Sequence, residues 1–169
     1  MEPERCEQCG FDGAAYDDAA LLAALRALGP RWRTRLAAAG DELRVRPAPT
    51  TWSALEYAAH SRDVTLLHGF GVEAALTGDE PVLPAVEPGL VDAAAENYGA
   101  EDPDAVLDAL AAAAVHLADL AAAQPDDWAR GLTLGTERSD VRRLLEHALH
   151  DSTHHLDDVE RGLTQLRGR

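Results

Sequence analysis

The segment 146–159, with the sequence EHALHDSTHHLDDV, holds four of the chain's seven histidines and three aspartates. Imidazole nitrogens and carboxylate oxygens are common ligands of divalent metal ions. On an α-helix, residues four apart lie one above the other and can bind one ion together. Two pairs have this spacing, Asp151/His155 and His150/His154. The segment therefore predicts a metal site on a helix, with a solvated polar face as the alternative.

The apolar residues around these pairs indicate which pair points inward. Leucine, valine and alanine recur with a helical period from 144 to 166 and project onto one stripe at about 100° per residue. Asp151 and His155 lie at the edge of that stripe, whereas His150 and His154 lie about 150° away from it. We therefore expect Asp151/His155 to face the interior and His150/His154 to face water.

A third ligand is expected from an earlier helix. Ser53 followed by Glu56 is a capping box, which predicts a helix start. His60 lies on the mainly apolar face of that helix, where a lone histidine is more often a core residue than a ligand. The inward pair Asp151/His155 on the C-terminal helix makes a ligand role for His60 more favourable, so His60 is the predicted third ligand. Glu56 and Asp63 lie near enough along the helix to orient its second ring nitrogen.

The apolar periodicity and the breaker residues predict an all-α fold, a four-helix bundle with long loops between the helices. The expected helices are 17–40 with a kink or break at Gly29-Pro30, 53–76, 102–124 and 139–166, the last capped by Ser139 or Thr136. A short helix near 90–98 and a small hairpin near 129–136 are further expectations. The predicted organisation is an irregular leader, 1–16, followed by one domain, 17–169.

Composition excludes several partners and locations. The 169 residues carry a net charge of −15, with a sequence pI near 4.7, so phosphate-rich nucleic acid and anionic membrane surfaces would be repelled. The sequence shows no transmembrane run and no signal-peptide core, which predicts a cytoplasmic protein with no membrane partner. The hydrophobic fraction is 46% but aromatic residues make up only 5%, a Leu- and Ala-rich balance that favours helix packing.

The two cysteines, Cys6 and Cys9, form a CxxC motif in the leader. A zinc ribbon would need a second cysteine pair, and the βαβ context of a thioredoxin motif is missing. The motif also lies near a chain terminus, where order is often poor. These observations favour a structural or incidental role over a redox or accessory-ligand role.

Two motifs resemble the DinB superfamily. Residues 52–64, WSALEYAAHSRDV, resemble its second-helix signature, in which a Trp-Ser-x-x-Glu start precedes a metal-binding histidine. Residues 150–159, HDSTHHLDDV, resemble its C-terminal signature, closest to the branch of mycothiol-dependent maleylpyruvate isomerase. The resemblance covers about residues 17–166 and implies a four-helix bundle with one divalent ion.

The resemblance implies a ligand set on this chain. The predicted ligands are His60, Asp151 and His155, with His150/His154 as the alternative pair. Asp158 matches the branch's acidic position three residues after the histidine ligand and is a candidate, with Glu56 and Asp63, for orienting the ligands. Most family members carry His at the position of Asp151, and the isomerase branch carries Glu.

The expected cofactor is zinc or nickel, although His and carboxylate donors also suit iron and manganese. The family resemblance favours an ion that activates a low-molecular-weight thiol, such as mycothiol or bacillithiol, toward an electrophile. The predicted function is therefore a metal-dependent thiol S-transferase or thiol-dependent isomerase. The alternative is a non-catalytic metal- or small-molecule-binding stress protein. Family members often dimerise, so a homodimer is also expected.

Overall fold

The computed structural model describes residues 2–86 and 97–168. Its helices are α1 (Asp18–Arg26), α2 (Leu28–Ala39), α3 (Ala54–Thr77), α4 (Pro103–Ala122) and α5 (Val141–Arg167), and its strands are β1 (Val82–Leu83), β2 (Gly131–Leu134) and β3 (Glu137–Asp140). The predicted all-α four-helix bundle is confirmed, with α1 and α2 together forming its first helix. The helix expected near 90–98 lies largely outside the described residues.

The break in the first helix lies at Ala27, between α1 and α2. Pro30 has no backbone N–H to donate to the carbonyl of Arg26, and its ring crowds that carbonyl. The first helix therefore ends four residues before the proline and restarts at Leu28. The predicted interruption is confirmed, but it lies at Ala27, three residues before Pro30, and not at Gly29-Pro30 itself.

Helix α3 begins with the predicted capping box. The Ser53 hydroxyl accepts a hydrogen bond from the backbone N–H of Glu56, and the Glu56 carboxylate accepts one from the backbone N–H of Ser53. The helix ends at Thr77 before Gly78, as expected from the sequence. Because α3 packs against both α4 and α5, it is the central helix that brings His60 toward the C-terminal helix.

Helix α4 starts as predicted, with Asp102 as its N-cap and Pro103 in its first turn. Its length and its mean hydropathy of 1.6 satisfy the criteria for a membrane span, although no such run was expected from the sequence. Leucine, valine and alanine side chains on one side of this helix are buried in the bundle core. A core helix of a bundle has the same apolar character, so the hydropathy alone does not indicate a membrane.

The connection between α4 and α5 contains a β-hairpin. Strand β2 pairs antiparallel with β3 and parallel with β1, so the predicted hairpin is present but extends to residue 140. Ser139 belongs to β3, and the N-cap of α5 is Asp140, whose carboxylate accepts from the backbone N–H of Arg143. The expectation that Ser139 or Thr136 caps this helix is wrong, because Ser139 pairs with Leu132 in the hairpin and Thr136 lies in the hairpin turn.

The core of the bundle lies between α1–α2, α3, α4 and α5 and consists mainly of Leu and Ala. A buried hydrogen bond from Trp32 Nε1 to Ser152 Oγ, 2.7 Å long, joins α2 to α5. Ser152 directly follows Asp151, so this contact fixes the turn of α5 that carries the predicted ligands. Phe11 of the leader also belongs to the core, where it is 8% exposed.

Candidate metal centre

Helices α3 and α5 bring the predicted ligands together. His60 Nε2 lies 3.8 Å from Asp151 Oδ1, and His155 Nε2 lies 3.5 Å from the same oxygen. One ligand atom from each of the three residues lies within 4.8 Å of the others. Ligands placed about 2.1 Å from a tetrahedral ion would be roughly 3.4 Å apart. The three side chains therefore fit around a single cation.

Asp151 is the least satisfied member of this group. Its Oδ2 atom is buried and has no hydrogen-bond partner among the described residues. Burial opposes ionisation, but the neighbouring imidazoles of His155 and His60 outweigh it, and the pKa of Asp151 is lowered. A buried, ionised carboxylate with a free oxygen is a strong ligand for a cation.

Asp158 fixes the orientation of His155. Its Oδ2 lies 2.8 Å from His155 Nδ1, which leaves the Nε2 atom of the ring directed at Asp151. Burial would lower the pKa of His155, but the two carboxylates outweigh it and raise that pKa. Asp158 stays a predicted orienting residue, since ligating histidines are commonly held by a carboxylate on their second nitrogen.

Glu56 and Asp63 do not contact His60 through the hydrogen bonds in the structure. Glu56 receives two hydrogen bonds from Arg46 Nε, at 3.1 and 3.0 Å, besides capping α3. Asp63 accepts from Arg62 Nε and from the Tyr98 hydroxyl, each 2.8 Å away. Both carboxylates are therefore bound by other groups in the described residues. The predicted contacts of Glu56 and Asp63 with His60 are not among their hydrogen bonds there.

Aromatic rings surround the imidazoles. Trp52 meets His60 edge-on at a centroid distance of 5.1 Å, and Tyr57 lies 5.0 Å from the ring of His155. Burial raises the pKa of the Tyr57 hydroxyl, so this group stays protonated at neutral pH. The side chains of His60 and His155 are 14% and 18% exposed, so the group is reached by solvent only narrowly.

The alternative pair, His150/His154, does not join His60. It lies with Cys6 and Cys9 of the leader, with one ligand atom from each residue within 4.8 Å of the others. The side chains of His150 and His154 are 17% and 19% exposed, so the expectation that they face water is wrong. Both histidines lie on the face of α5 that points away from the other helices, as the helical period predicts. The leader covers this face, so the two side chains are shielded from water.

Glu4 anchors the leader, and sequence reasoning missed it. Its carboxylate is 6% exposed and lies 2.8 Å from His147 Nδ1, with His150 Nδ1 and Arg143 also in contact. Burial alone would raise the pKa of Glu4, but the two histidines and Arg143 lower it to about 2. Its backbone N–H donates to Glu146 Oε2. No local pattern identifies Glu4, since its partners lie at residues 143–150, at the far end of the sequence.

A cavity of about 610 Å³ lies between α3, α5 and the hairpin. Apolar side chains such as Leu67, Phe70 and Leu144 dominate its lining, and His147 and Arg143 supply polar edges. His147 is one helical turn from Asp151. The three predicted ligands are not among its lining residues, so the cavity lies along α5 from the ligand group, and it is large enough for a small organic molecule.

The chain is similar to known proteins at two levels. Residues 24–159 match the sequence model of the DinB superfamily. The fold is similar to that of YfiT from Bacillus subtilis, described as a probable metal-dependent hydrolase with an unusual four-helix bundle topology. The two share 18% identity, covering 89% of this chain and 87% of that chain, with a TM-score of 0.78. No curated protein sequence matches the chain.

Proposed function

The chain belongs to the DinB superfamily, and on this premise we propose that it is a metal-dependent enzyme whose ion is held by His60, Asp151 and His155. One observation carries the proposal: the buried Asp151 Oδ2 has no hydrogen-bond partner among the described residues, while Oδ1 faces two imidazole nitrogens. Distances of 3.5 and 3.8 Å are long for direct hydrogen bonds but suit ligands that share a cation.

The proposed ion is zinc or nickel, as the family resemblance implies, and two imidazoles and a carboxylate also suit iron or manganese. An ion with three protein ligands keeps a position open, where it lowers the pKa of a bound thiol or water. The protein's own contribution is orientation and shielding. Asp158 holds the ring of His155, and the rings of Trp52 and Tyr57 restrict the access of water.

The proposed nucleophile is a low-molecular-weight thiol of the mycothiol or bacillithiol type. The support is the resemblance of Asp151, His155 and Asp158 to the isomerase branch of the family. In the proposed reaction the thiol loses its proton to solvent and its sulfur attacks a carbon of the electrophile, so that a C–S bond forms while the leaving group departs with its bonding electrons. In the isomerase version the same sulfur adds to the substrate and is later expelled as the free thiol. The apolar cavity beside α5 would receive the electrophile.

Hydrolysis is the second candidate, with water in place of the thiol. The observation in its favour is the likeness to YfiT, which is described as a probable metal-dependent hydrolase. Both reactions need the same three ligands, so they differ only in which nucleophile the loaded protein accepts.

Titration calorimetry with untagged, zinc-loaded protein tests the proposal. Mycothiol or bacillithiol should bind the loaded wild type and bind Asp151→Asn at least tenfold more weakly, because the amide removes the anionic ligand. Glu160→Gln, an exposed change on the same helix, should bind like wild type. Equal thiol binding by wild type and Asp151→Asn would contradict the site. An absence of thiol binding, with ester hydrolysis that Asp151→Asn abolishes, would favour the hydrolase.

A further inference from the structure

The leader forms a tight loop that presents both of its thiols to α5. The backbone N–H of Gly10 donates to Cys6 O, and that of Cys6 donates to Phe11 O, each over 2.9 Å. Gly10 has φ +74°, a conformation that glycine adopts without strain. A bridge between Arg5 and Asp12 closes the loop. The Cys-x-x-Cys-Gly loop is therefore held in one conformation, with the two sulfurs on one side.

Helix α5 supplies the opposite half of this cluster. His150 and His154 are four residues apart and share one helix face. Cys6 Sγ lies 3.7 Å from His154 Nδ1, and one ligand atom from each of the four residues lies within 4.8 Å of the others. Ligands of a tetrahedral zinc ion at about 2.0–2.3 Å lie roughly 3.4–3.8 Å apart. The spacing is compatible with one shared ion.

Each of the two histidines keeps one ring nitrogen for the cysteine cluster, and that of His154 contacts Cys6 Sγ, itself a proposed ligand. His150 uses Nδ1 for Glu4, while its Nε2 is buried and has no hydrogen-bond partner among the described residues. His154 Nε2 lies 3.7 Å from Asp158 Oδ2, so its Nδ1 is left for the cysteine side. A carboxylate on the far nitrogen is the usual arrangement for metal-ligating histidines.

We propose that Cys6, Cys9, His150 and His154 form a second, structural metal site that takes a zinc-type divalent ion and fastens the leader to α5. Two thiolates and two imidazoles make a closed tetrahedral set, which leaves no position for substrate. Binding would release both thiol protons to solvent. The site is separate from the proposed catalytic one, since it shares no ligand with His60, Asp151 and His155.

A redox-active dithiol is the competing use of a CxxC motif. The two histidines distinguish the uses, because a dithiol needs no pair of imidazoles around it. A buried ring nitrogen without a hydrogen-bond partner is destabilising, and coordination to an ion would remove that cost. The geometry therefore favours a bound cation over a cycling disulfide.

Cobalt substitution tests the proposal with a signal that belongs to this site alone. The reduced, untagged full-length chain, titrated with Co²⁺, should develop thiolate-to-cobalt charge-transfer absorption and tetrahedral d–d bands. Zinc should abolish both signals. Cys6→Ser/Cys9→Ser should lose the charge-transfer absorption and bind one equivalent fewer. His60→Ala should keep the absorption, because it changes only the other site.

A second measurement uses only the wild type, so its result does not depend on whether a variant folds. Two thiols of the wild type should react slowly with a thiol reagent when zinc is present and rapidly after a chelator is added. A wild type without charge-transfer absorption would overturn the proposal. So would thiols that zinc does not protect, or an air-formed Cys6–Cys9 disulfide in protein that takes up no cobalt at this site. If the loaded protein bound no mycothiol or bacillithiol but still showed the thiolate-to-cobalt absorption, only the proposed function would be contradicted.

Discussion

Three buried side-chain atoms lack a hydrogen-bond partner among the described residues: Ser61 Oγ, His150 Nε2 and Asp151 Oδ2. Two of them belong to the two ligand clusters, one to each. An unsatisfied buried polar atom costs about 1–3 kcal/mol, so folded proteins rarely keep several within one helix turn. A cation at each cluster would give His150 Nε2 a ligand bond and would neutralise the buried Asp151 carboxylate.

Asp158 is the residue whose replacement best separates positioning from ligation. Asp158→Asn leaves the three proposed ligands in place but weakens the hold on His155 Nδ1. We expect the zinc affinity of the His60 site to fall about 10- to 100-fold, as for other carboxylates behind a ligating histidine. Competition with a chromogenic chelator measures this, with Glu160→Gln as the exposed acidic control on α5. Unchanged zinc affinity would mean that Asp158 does not position the ligand.

The inward pair could be predicted from residue spacing alone. The helical period fixes the angle between Asp151/His155 and the apolar stripe, and that angle holds in any packed bundle. The environment of His150/His154 could not be predicted, because it depends on which segment covers the outer face of α5. The covering segment includes Glu4, Cys6 and Phe11, and no local periodicity relates it to residue 150.

At the level of helices, Gly29 permits a close approach between α2 and α4. A Cβ at Gly29 would lie 2.5 Å from Ala111 Cβ and 3.0 Å from its Cα, and backbone cannot move aside cheaply. We expect Gly29→Ala to lower the free energy of unfolding by about 1–3 kcal/mol through overpacking.

Gly69 provides the matched control, since a Cβ there meets nothing within 4 Å among the described residues. Gly69→Ala should be neutral or raise stability by about 0.5–1 kcal/mol, because alanine favours the helix interior. Urea denaturation of both variants measures the difference. Equal effects at the two positions would contradict the close approach of the helices.

The start of α3 should make stability depend on pH. Burial would raise the pKa of Glu56, but hydrogen bonds from Arg46 and Ser53 outweigh it and lower the pKa from its usual 4.5. The lowered pKa contributes stability that is present above pH 4.5 and lost as the pH falls through the folded-state pKa.

Glu56→Gln should therefore cost about 1–3 kcal/mol at pH 7, with a smaller cost as the pH is lowered below 4.5. Denaturation midpoints of both proteins between pH 7 and pH 3 measure this. A difference between wild type and variant that stays constant in acid would contradict the assigned role of the Arg46 contact.

Helix starts could be predicted where the signal is local. Ser53 with Glu56, and Asp102 with Pro103, identify their helix starts because capping involves residues two or three apart. The start of α5 was expected at residue 139 but lies at Val141, because Ser139 pairs with Leu132 of β2. That pairing is a contact between strands and leaves no local signal at Ser139. The break near Pro30 was predictable from proline, but its position at Ala27 follows from the carbonyl four residues earlier.

For the whole molecule, the proposed ions should contribute measurably to folding. An ion that binds only the folded chain stabilises it by about 4 kcal/mol at a thousandfold excess over its Kd. For a chain of this size, that corresponds to a decrease in Tm of roughly 8–16 °C when a chelator removes the metal. Thermal unfolding with zinc, with chelator and after zinc re-addition measures it.

His60→Ala should show a smaller chelator effect, because one proposed site remains. Adding zinc back must restore the Tm, because a chelator that destabilised the protein without removing the metal would leave the Tm low. An identical Tm under all three conditions would contradict both metal sites.

The class of fold could be predicted for the whole chain because Leu- and Ala-rich helical periods repeat across it. Composition cannot specify which distant segments meet, since many arrangements bury the same apolar stripes. The contact between the leader and α5 is the clearest example. It rests on Glu4 and His147, which are 143 positions apart.

That separation sets an order of events during synthesis. A ribosome adding about 5–20 residues per second makes residue 147 roughly 7–30 s after residue 4. Through that interval the nascent leader has no helix to dock on, and the sulfurs of Cys6 and Cys9 stay open to oxidants and to stray cations. Glu4 and the cysteines thus reach their final place only after the residues up to His147 have been translated.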